Sequence, residues 1–353
     1  MMLYVTRIIQ DLSKSLRAIV LLLSGLTLIV GCDSSQGPDT ERPVMIAGTT
    51  FPDTAGEGHW LGFYERLVEA TGGQMPLRLL IYGQLGSEDQ LVSGLRRGRV
   101  QFANLSAMAV STVVPEMALL YAPFLFDDEA EADYVYDRYL TPLYRGLLAE
   151  KGLHLVSWYE IGFLEVYGKE PVLVPGDARG RRFRVGAGPA ARLFAGAIGA
   201  DVIPLGFADV VASLQTGLIE SGENSVSLYA RTGIAGEAPH LTMTDHAFGI
   251  SAIVASKDWW DSLSYERQQQ VSNAWPDIAE TRRAVRAESQ SDLQYAAELG
   301  IVVHHLSKEQ RGLWREVTAG ATDRIIEIIG GRSREVYEVI RNARQEHRLQ
   351  RNN

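Results

Sequence analysis

A two-lobe α/β fold, each lobe a mainly parallel sheet flanked by helices, follows from three features of this 353-residue sequence. Residues 44–105 carry strand and helix signals in the order β-α-β-α-β. Residues 183–225 alternate in the same way. A helical stretch over residues 277–299 is ~35 Å long at 1.5 Å per residue, enough to brace both lobes.

The elements follow in chain order. Residues 44–47 form a short β-type run, and Trp60, Phe63, Tyr64 and Leu67 fall at helical spacing until Gly72-Gly73 ends the helix. Residues 77–82 predict the next strand, residues 83–86 a turn, and Leu91 and Leu95 a helix that stops at Gly98. Residues 101–105 predict a third strand. The second lobe is expected to begin near Gly162. Residues 183–185 predict a strand, 190–198 a helix, 201–204 a strand, 210–217 a helix and 221–225 another strand. The apolar run 250–255 predicts a buried strand that returns to the first lobe. Pro276 suits the opening of the long helix and Gly300 its end. The last ~20 residues are helical and polar. On this division the first lobe takes residues 43–161 plus about 250–300. The second takes 162–249 plus about 301–345 with the C-terminal helices, and 346–353 are a tail.

Composition bounds the function. Hydrophobic residues make up 46% and charged residues 22%, ordinary for a globular protein with a sizeable core. The net charge of -9 is spread along the chain, which argues against nucleic acid as a partner. An anionic ligand would need a local positive site. The single cysteine, Cys32, excludes a disulfide within the chain.

The N-terminus has the pattern of an export signal. Arg7, Lys14 and Arg17 precede an apolar run of ~13 residues, short of the ~20 a spanning helix needs. Ile29-Val30-Gly31-Cys32 resembles a bacterial lipobox, which implies a signal peptide over residues 1–31 and a lipidated Cys32. Asp33 resembles an inner-membrane retention signal. The polar residues up to 42 form a flexible tether. The expected location is the periplasm, anchored to the inner membrane.

Common catalytic motifs are missing: there is no Gly-x-Ser-x-Gly, Walker loop, His-Glu-x-x-His or Cys-x-x-Cys. No cofactor is implied. His304-His305 point to opposite faces of a strand and make a poor metal pair. The informative segment runs from Asp177 to Asn224. In its strand, Phe183 and Val185 point one way while Arg182 and Arg184 point the other.

With the motifs Gly83-Gln84-Leu85-Gly86, Ala122-Pro123-Phe124-Leu125-Phe126, the Arg184 strand, Leu214-Gln215-Thr216-Gly217, Gly222-Glu223-Asn224 and Thr244-Asp245-His246 in this order, the chain resembles the solute-binding proteins of tripartite ATP-independent periplasmic (TRAP) transporters, C4-dicarboxylate-binding type. The resemblance covers nearly all of the mature chain. It implies a periplasmic-binding-protein-like fold, a small organic carboxylate as ligand, transporter membrane subunits as partners, and no enzymatic activity. Arg184 matches the arginine that pairs with the ligand carboxylate, a role suited to a planar guanidinium. Asn224 matches a carboxylate-contacting asparagine, and Phe207 an aromatic that packs on the ligand. Gln215 is expected to support the site, Glu88 to face polar ligand groups and Trp158 to line the cleft. His246 is expected to be structural. Where many relatives carry a second arginine this chain has Leu164, which points to a monocarboxylate or to a ligand with an apolar body.

Two other classes share the same sequence features. A ligand-sensing partner of a membrane receptor would use the same cleft, and neighbouring genes would distinguish it. A lipid-anchored enzyme would show turnover of candidate acids.

Overall fold

Val44–Ala47 (β1), Leu77–Leu80 (β2) and Phe102–Ser106 (β3) are the short parallel strands of the first lobe. The computed structural model describes residues 42–351 except 187 and 299. The expected signal peptide over residues 1–31, Cys32, and all of the tether but Arg42 lie outside the described residues. The described residues beyond Arg42 form one compact unit.

Two long strands organise the sheet. Leu153–Gly168 (β4) and His240–Ser256 (β8) pair antiparallel along their length and run through both lobes. The second lobe adds Arg182–Val185 (β5), Asp201–Pro204 (β6) and Ser221–Ser225 (β7), and Val302–His305 (β9) joins β8 in parallel. The order is β2-β1-β3-β8-β4-β7-β5-β6. Pairing is parallel within each outer group and antiparallel at β3/β8, β4/β8 and β4/β7. The fold is therefore two lobes built on one continuous sheet. The sequence-based boundary at residue 162 falls inside β4, where Gly162 (φ +96°) faces Gly249. Register shifts on both sides of this pair bend the strands as they cross between lobes.

The helix Ala55–Ala70 forms as its spacing predicts, with Thr54 as N-cap accepting from Glu57 N–H at 3.2 Å. It buries Trp60, Phe63 and Leu67 against Phe102 and Trp275, with Phe63 and Phe102 stacked at 4.7 Å. The long helix runs Ile278–Glu298 and begins one residue later than the sequence suggests. Asp277 Oδ1 accepts from Ala279 N–H at 2.8 Å and starts it. Arg282 and Arg286 tie it to Asp133, Asp137 and Glu160 of the first lobe, while Ala296 packs in the second-lobe core and Asp292 binds Arg231. It braces both lobes.

The C-terminal segment corrects the sequence-based division. Ile325, Ile326, Val336, Ile340 and Ala343 pack into the first-lobe core with Leu119, Leu120 and Leu140, because they form apolar stripes at helical spacing. The helix Ser333–Arg351 thus docks on the first lobe, while residues 321–329 pack between the first-lobe segment Pro115–Tyr121 and the second-lobe helix Pro189–Ala197. The helix Ser333–Arg351 also takes in most of the expected tail. Its basic residues are not a free patch. Arg344 and Arg348 bind Glu131 at 2.9 and 3.0 Å, Arg351 binds Asp128 at 2.6 Å, and Arg332, Arg334 and Arg341 also pair within the chain.

His154 on β4 stacks on Trp260 with ring centroids 4.0 Å apart. Burial, reinforced by nearby Arg145, pushes its pKa down to about 4. The unfolded chain binds this proton below the ordinary histidine value, and the folded chain resists it. The contribution is intact above pH ~6.5 and is lost as pH falls toward the folded value. The wild type should lose more melting temperature between pH 7 and pH 5 than His154→Leu does, measured by scanning calorimetry at both pH values.

Candidate ligand-binding site

The carboxyl ends of β1, β3, β5, β6 and β7 converge on the space between the lobes, where open α/β sheets bind ligands. From the first lobe come Phe51 after β1 and Met108 after β3. From the second come Arg184 on β5, Phe207 after β6 and Asn224 on β7. Phe51 and Phe207 meet edge to face at 5.8 Å. The Met108 thioether lies against Gly186, 3.4 Å from where a side chain there would begin.

Arg184 is 8% exposed. Phe183 and Val185 point into the apolar layer on the other side of β5, as strand alternation predicts. Arg184 Nε donates to the Leu205 carbonyl at 3.1 Å, and the guanidinium carbon lies 5.9 Å from the Phe207 ring centre. Its two terminal NH2 groups have no hydrogen-bond or ion-pair partner among the described residues. Arg282, the other buried arginine among the described residues, binds two aspartates. A buried guanidinium without a counter-charge is costly, and an anion in the cleft would relieve that cost.

The strand register places Asn224 beside this group. Arg184 pairs with Gly222, and Asn224 is two residues further along β7 on the same face. Asn224 is 7% exposed, and its Oδ1 accepts from Ser225 N–H at 3.0 Å. Its NH2 makes no bond among the described residues and can donate to the same anion. On the opposite face, Glu223 binds His246 at 2.7 Å, and the His246 ring stacks on Phe194 at 3.8 Å. His246 is structural.

Four other expected site residues have different surroundings. Trp158 is 1% exposed in the first-lobe core, donating to Thr141 Oγ1 at 3.0 Å, so it packs the lobe and does not line the cleft. Gln215 is exposed on its helix and binds Glu237 at 3.0 Å, away from Arg184's partners. Glu88 accepts from Ser106 N–H at 2.6 Å and Ser106 Oγ at 2.7 Å, which engages both carboxylate oxygens in closing the corner after β3. Burial still pushes its pKa up. Leu164 is one register step from Asn224, but its side chain is 6% exposed and belongs to the apolar core. It brings no charge to the cleft.

Phe51 and Met108 were missed from the sequence. Their only signal is position, immediately after strands whose carboxyl ends face the cleft. His304 reaches His240 at 3.1 Å, and among the described residues no three potential metal ligands gather.

The chain is similar to known proteins. The family model for bacterial extracellular solute-binding protein, family 7 (DctP), matches residues 49–327. The ectoine-binding periplasmic protein TeaA of Halomonas elongata is 26% identical over 264 residues, 73% of this chain and 77% of that protein. The 2,3-diketo-L-gulonate-binding periplasmic protein YiaO of Escherichia coli is 28% identical over 232 residues, 65% of this chain and 71% of that protein. The crystal structure of the sugar acid binding protein DctPAm from Advenella mimigardefordensis, in complex with galactonate, aligns with a TM-score of 0.80 and 26% identity, covering 86% of this chain and 98% of that one.

Proposed function

This chain belongs to the DctP family of bacterial extracellular solute-binding proteins, and from that membership we propose that it captures a small organic monocarboxylate and delivers it to the membrane subunits of a TRAP transporter. It is a binding protein, not an enzyme, in keeping with relatives that are solute-binding proteins. The observation that carries the ligand class is the buried, unpaired guanidinium of Arg184. One such cation and no second one at Leu164 favour one carboxylate over two. The relatives that bind 2,3-diketo-L-gulonate and galactonate make sugar acids the first class to try.

Arg184 and Asn224 hold the carboxylate, and Phe51 and Phe207 cover the ligand body. Closure of the lobes excludes water and strengthens the ion pair. The closed form is the one that the membrane subunits recognise. A ligand that binds only the folded protein raises its melting temperature. In a melting-shift screen, galactonate-type monocarboxylates should exceed succinate and uncharged polyols. Shifts from dicarboxylates alone would overturn the monocarboxylate assignment. Delivery is tested by uptake in membrane vesicles carrying the transporter subunits, with and without this protein.

A clasp holds the closed form. Arg231 bonds Asp292 at 2.8 Å and also the Asp53 carbonyl, and Glu288 accepts from Ala55 N–H at 2.7 Å. These bonds fix the loop that carries Phe51. Losing one charge-assisted bond at roughly 1.5 kcal/mol should weaken ligand binding by about tenfold in Arg231→Ala, read by calorimetric titration.

We also propose that lipidated Cys32 tethers the protein to the inner membrane. Among the described residues no helix is long and apolar enough to cross a membrane. Cys32→Ser should abolish palmitate labelling and release the protein from the membrane fraction. Unchanged labelling would overturn the anchor.

A further inference from the structure

We propose that Gly222 and Tyr167 act as a positioning pair that fixes the reach of Arg184 before any ligand arrives. The inference builds on the assignment of Arg184 as the carboxylate-binding group. Tyr167, Gly222 and Arg184 lie in one row across three adjacent strands, β4, β7 and β5. Residues paired in this way share a face of the sheet. Gly222 has no side chain, and the Tyr167 ring occupies the space one would fill. A methyl group on residue 222 would run into the Tyr167 hydroxyl oxygen, and would lie 2.6 Å from Tyr167 Cζ and 3.2 Å from Arg184 Cβ. The ring therefore reaches across Gly222 to wall the base of the Arg184 side chain.

The wall cannot retreat. Tyr167 is fully buried in the second-lobe core and stacks on Tyr229 at 6.0 Å. Tyr229 is itself pinned, its hydroxyl donating to the Ala238 carbonyl at 2.9 Å. With its base walled and its Nε held by Leu205, Arg184 can send its guanidinium only past Phe207 into the cleft. A long side chain that is ordered in advance loses less freedom when the ligand binds. The Tyr167 hydroxyl has no hydrogen-bond partner among the described residues. It makes no bond to Arg184, so the tip of the Tyr167 side chain acts by its bulk and not by a hydrogen bond.

The test reads Arg184 directly in the full-length protein without ligand. Arginine Nε–H groups are observed by 15N NMR, and Arg184→Lys assigns the signal. In the wild type this N–H should exchange with water at least about tenfold more slowly than those of exposed arginines. Gly222→Ala should shift the signal and remove its protection. Adding Tyr167→Val to Gly222→Ala makes room for the methyl group and should restore the signal toward its wild-type position. Tyr167→Phe removes the hydroxyl but keeps the ring, whose Cζ still fills the space at Gly222, and should leave the signal in place. If Gly222→Ala does not fold, Tyr167→Val alone removes the wall without a clash and should cost protection. An unchanged Arg184 signal in Gly222→Ala or in Tyr167→Val would overturn the proposal, as would its loss in Tyr167→Phe. Because the signal is read without ligand, it separates failure of this proposal from failure of the ligand assignment. A second reading uses galactonate and galactonamide. Gly222→Ala should reduce the preference for the acid, whereas a general loss of fold would weaken both alike.

Discussion

Arg184→Ala lowers affinity for the carboxylate ligand by a hundredfold or more while leaving the ligand-free protein as stable as the wild type, or more stable. The two effects have opposite signs for one reason. In the ligand-free protein Arg184 is a buried charge whose terminal groups lack partners, so its removal relieves desolvation. In the complex the same groups make two charge-assisted bonds at roughly 1.5–3 kcal/mol each. Losing both costs about 3 kcal/mol or more, on the order of a hundredfold in Kd. Arg184→Lys should fall between, since an ammonium keeps the charge but not the planar pair of donors. Titration calorimetry reads the affinity and scanning calorimetry the stability. A variant that loses both together would mean that Arg184 is a structural residue.

Gly249→Ala should cost about 1–3 kcal/mol of stability, and Gly249→Val more. A methyl group at residue 249 would lie 2.8 Å from the Gly162 carbonyl oxygen and 3.1 Å from Ile161 Cβ. The first of these is backbone in a paired strand, so it cannot move without opening β4 from β8. These strands also carry the crossing between lobes, so affinity should fall along with the melting temperature. At roughly 2–4 °C per kcal/mol for a chain of this order, the loss is readily measured. Gly162→Ala is the comparison. It meets no neighbouring atom, and only its left-handed backbone (φ +96°) resists the side chain. Its cost should be smaller. A Gly249→Ala protein that melts with the wild type would refute the close approach.

What was legible in the sequence was local. The alternation of Phe183, Arg184 and Val185 needs only the period of a strand, and it holds in the structure. The long helix is marked by Pro276 and Gly300, and its start differs by one residue. The great length of β4 and β8 was not legible. β8 is buried on both faces for most of its course, so alternation vanishes, and β4 is interrupted by register shifts around Gly162. Contacts across the cleft were hidden for a different reason. Phe51 meets Phe207 only because the two lobes approach, and no short-range pattern records that approach. Trp158 misled because an aromatic before the crossing looks like a cleft residue, whereas Thr141 accepts its N–H inside the core. The pairing of the C-terminal arginines was hidden as well, because Asp127, Asp128 and Glu131 lie far away in the chain and are brought beside them only by the fold.

The central claim is that a buried arginine in the interlobe cleft selects this protein's ligand by its carboxylate. The most direct test is calorimetric titration of the wild-type protein with the acid that gives the largest melting shift, in parallel with its primary amide. The two ligands share size and shape and differ in the charge that Arg184 would meet. The acid should bind at least about a hundredfold more tightly. Equal affinity for the two, or a preference for the amide, would contradict it.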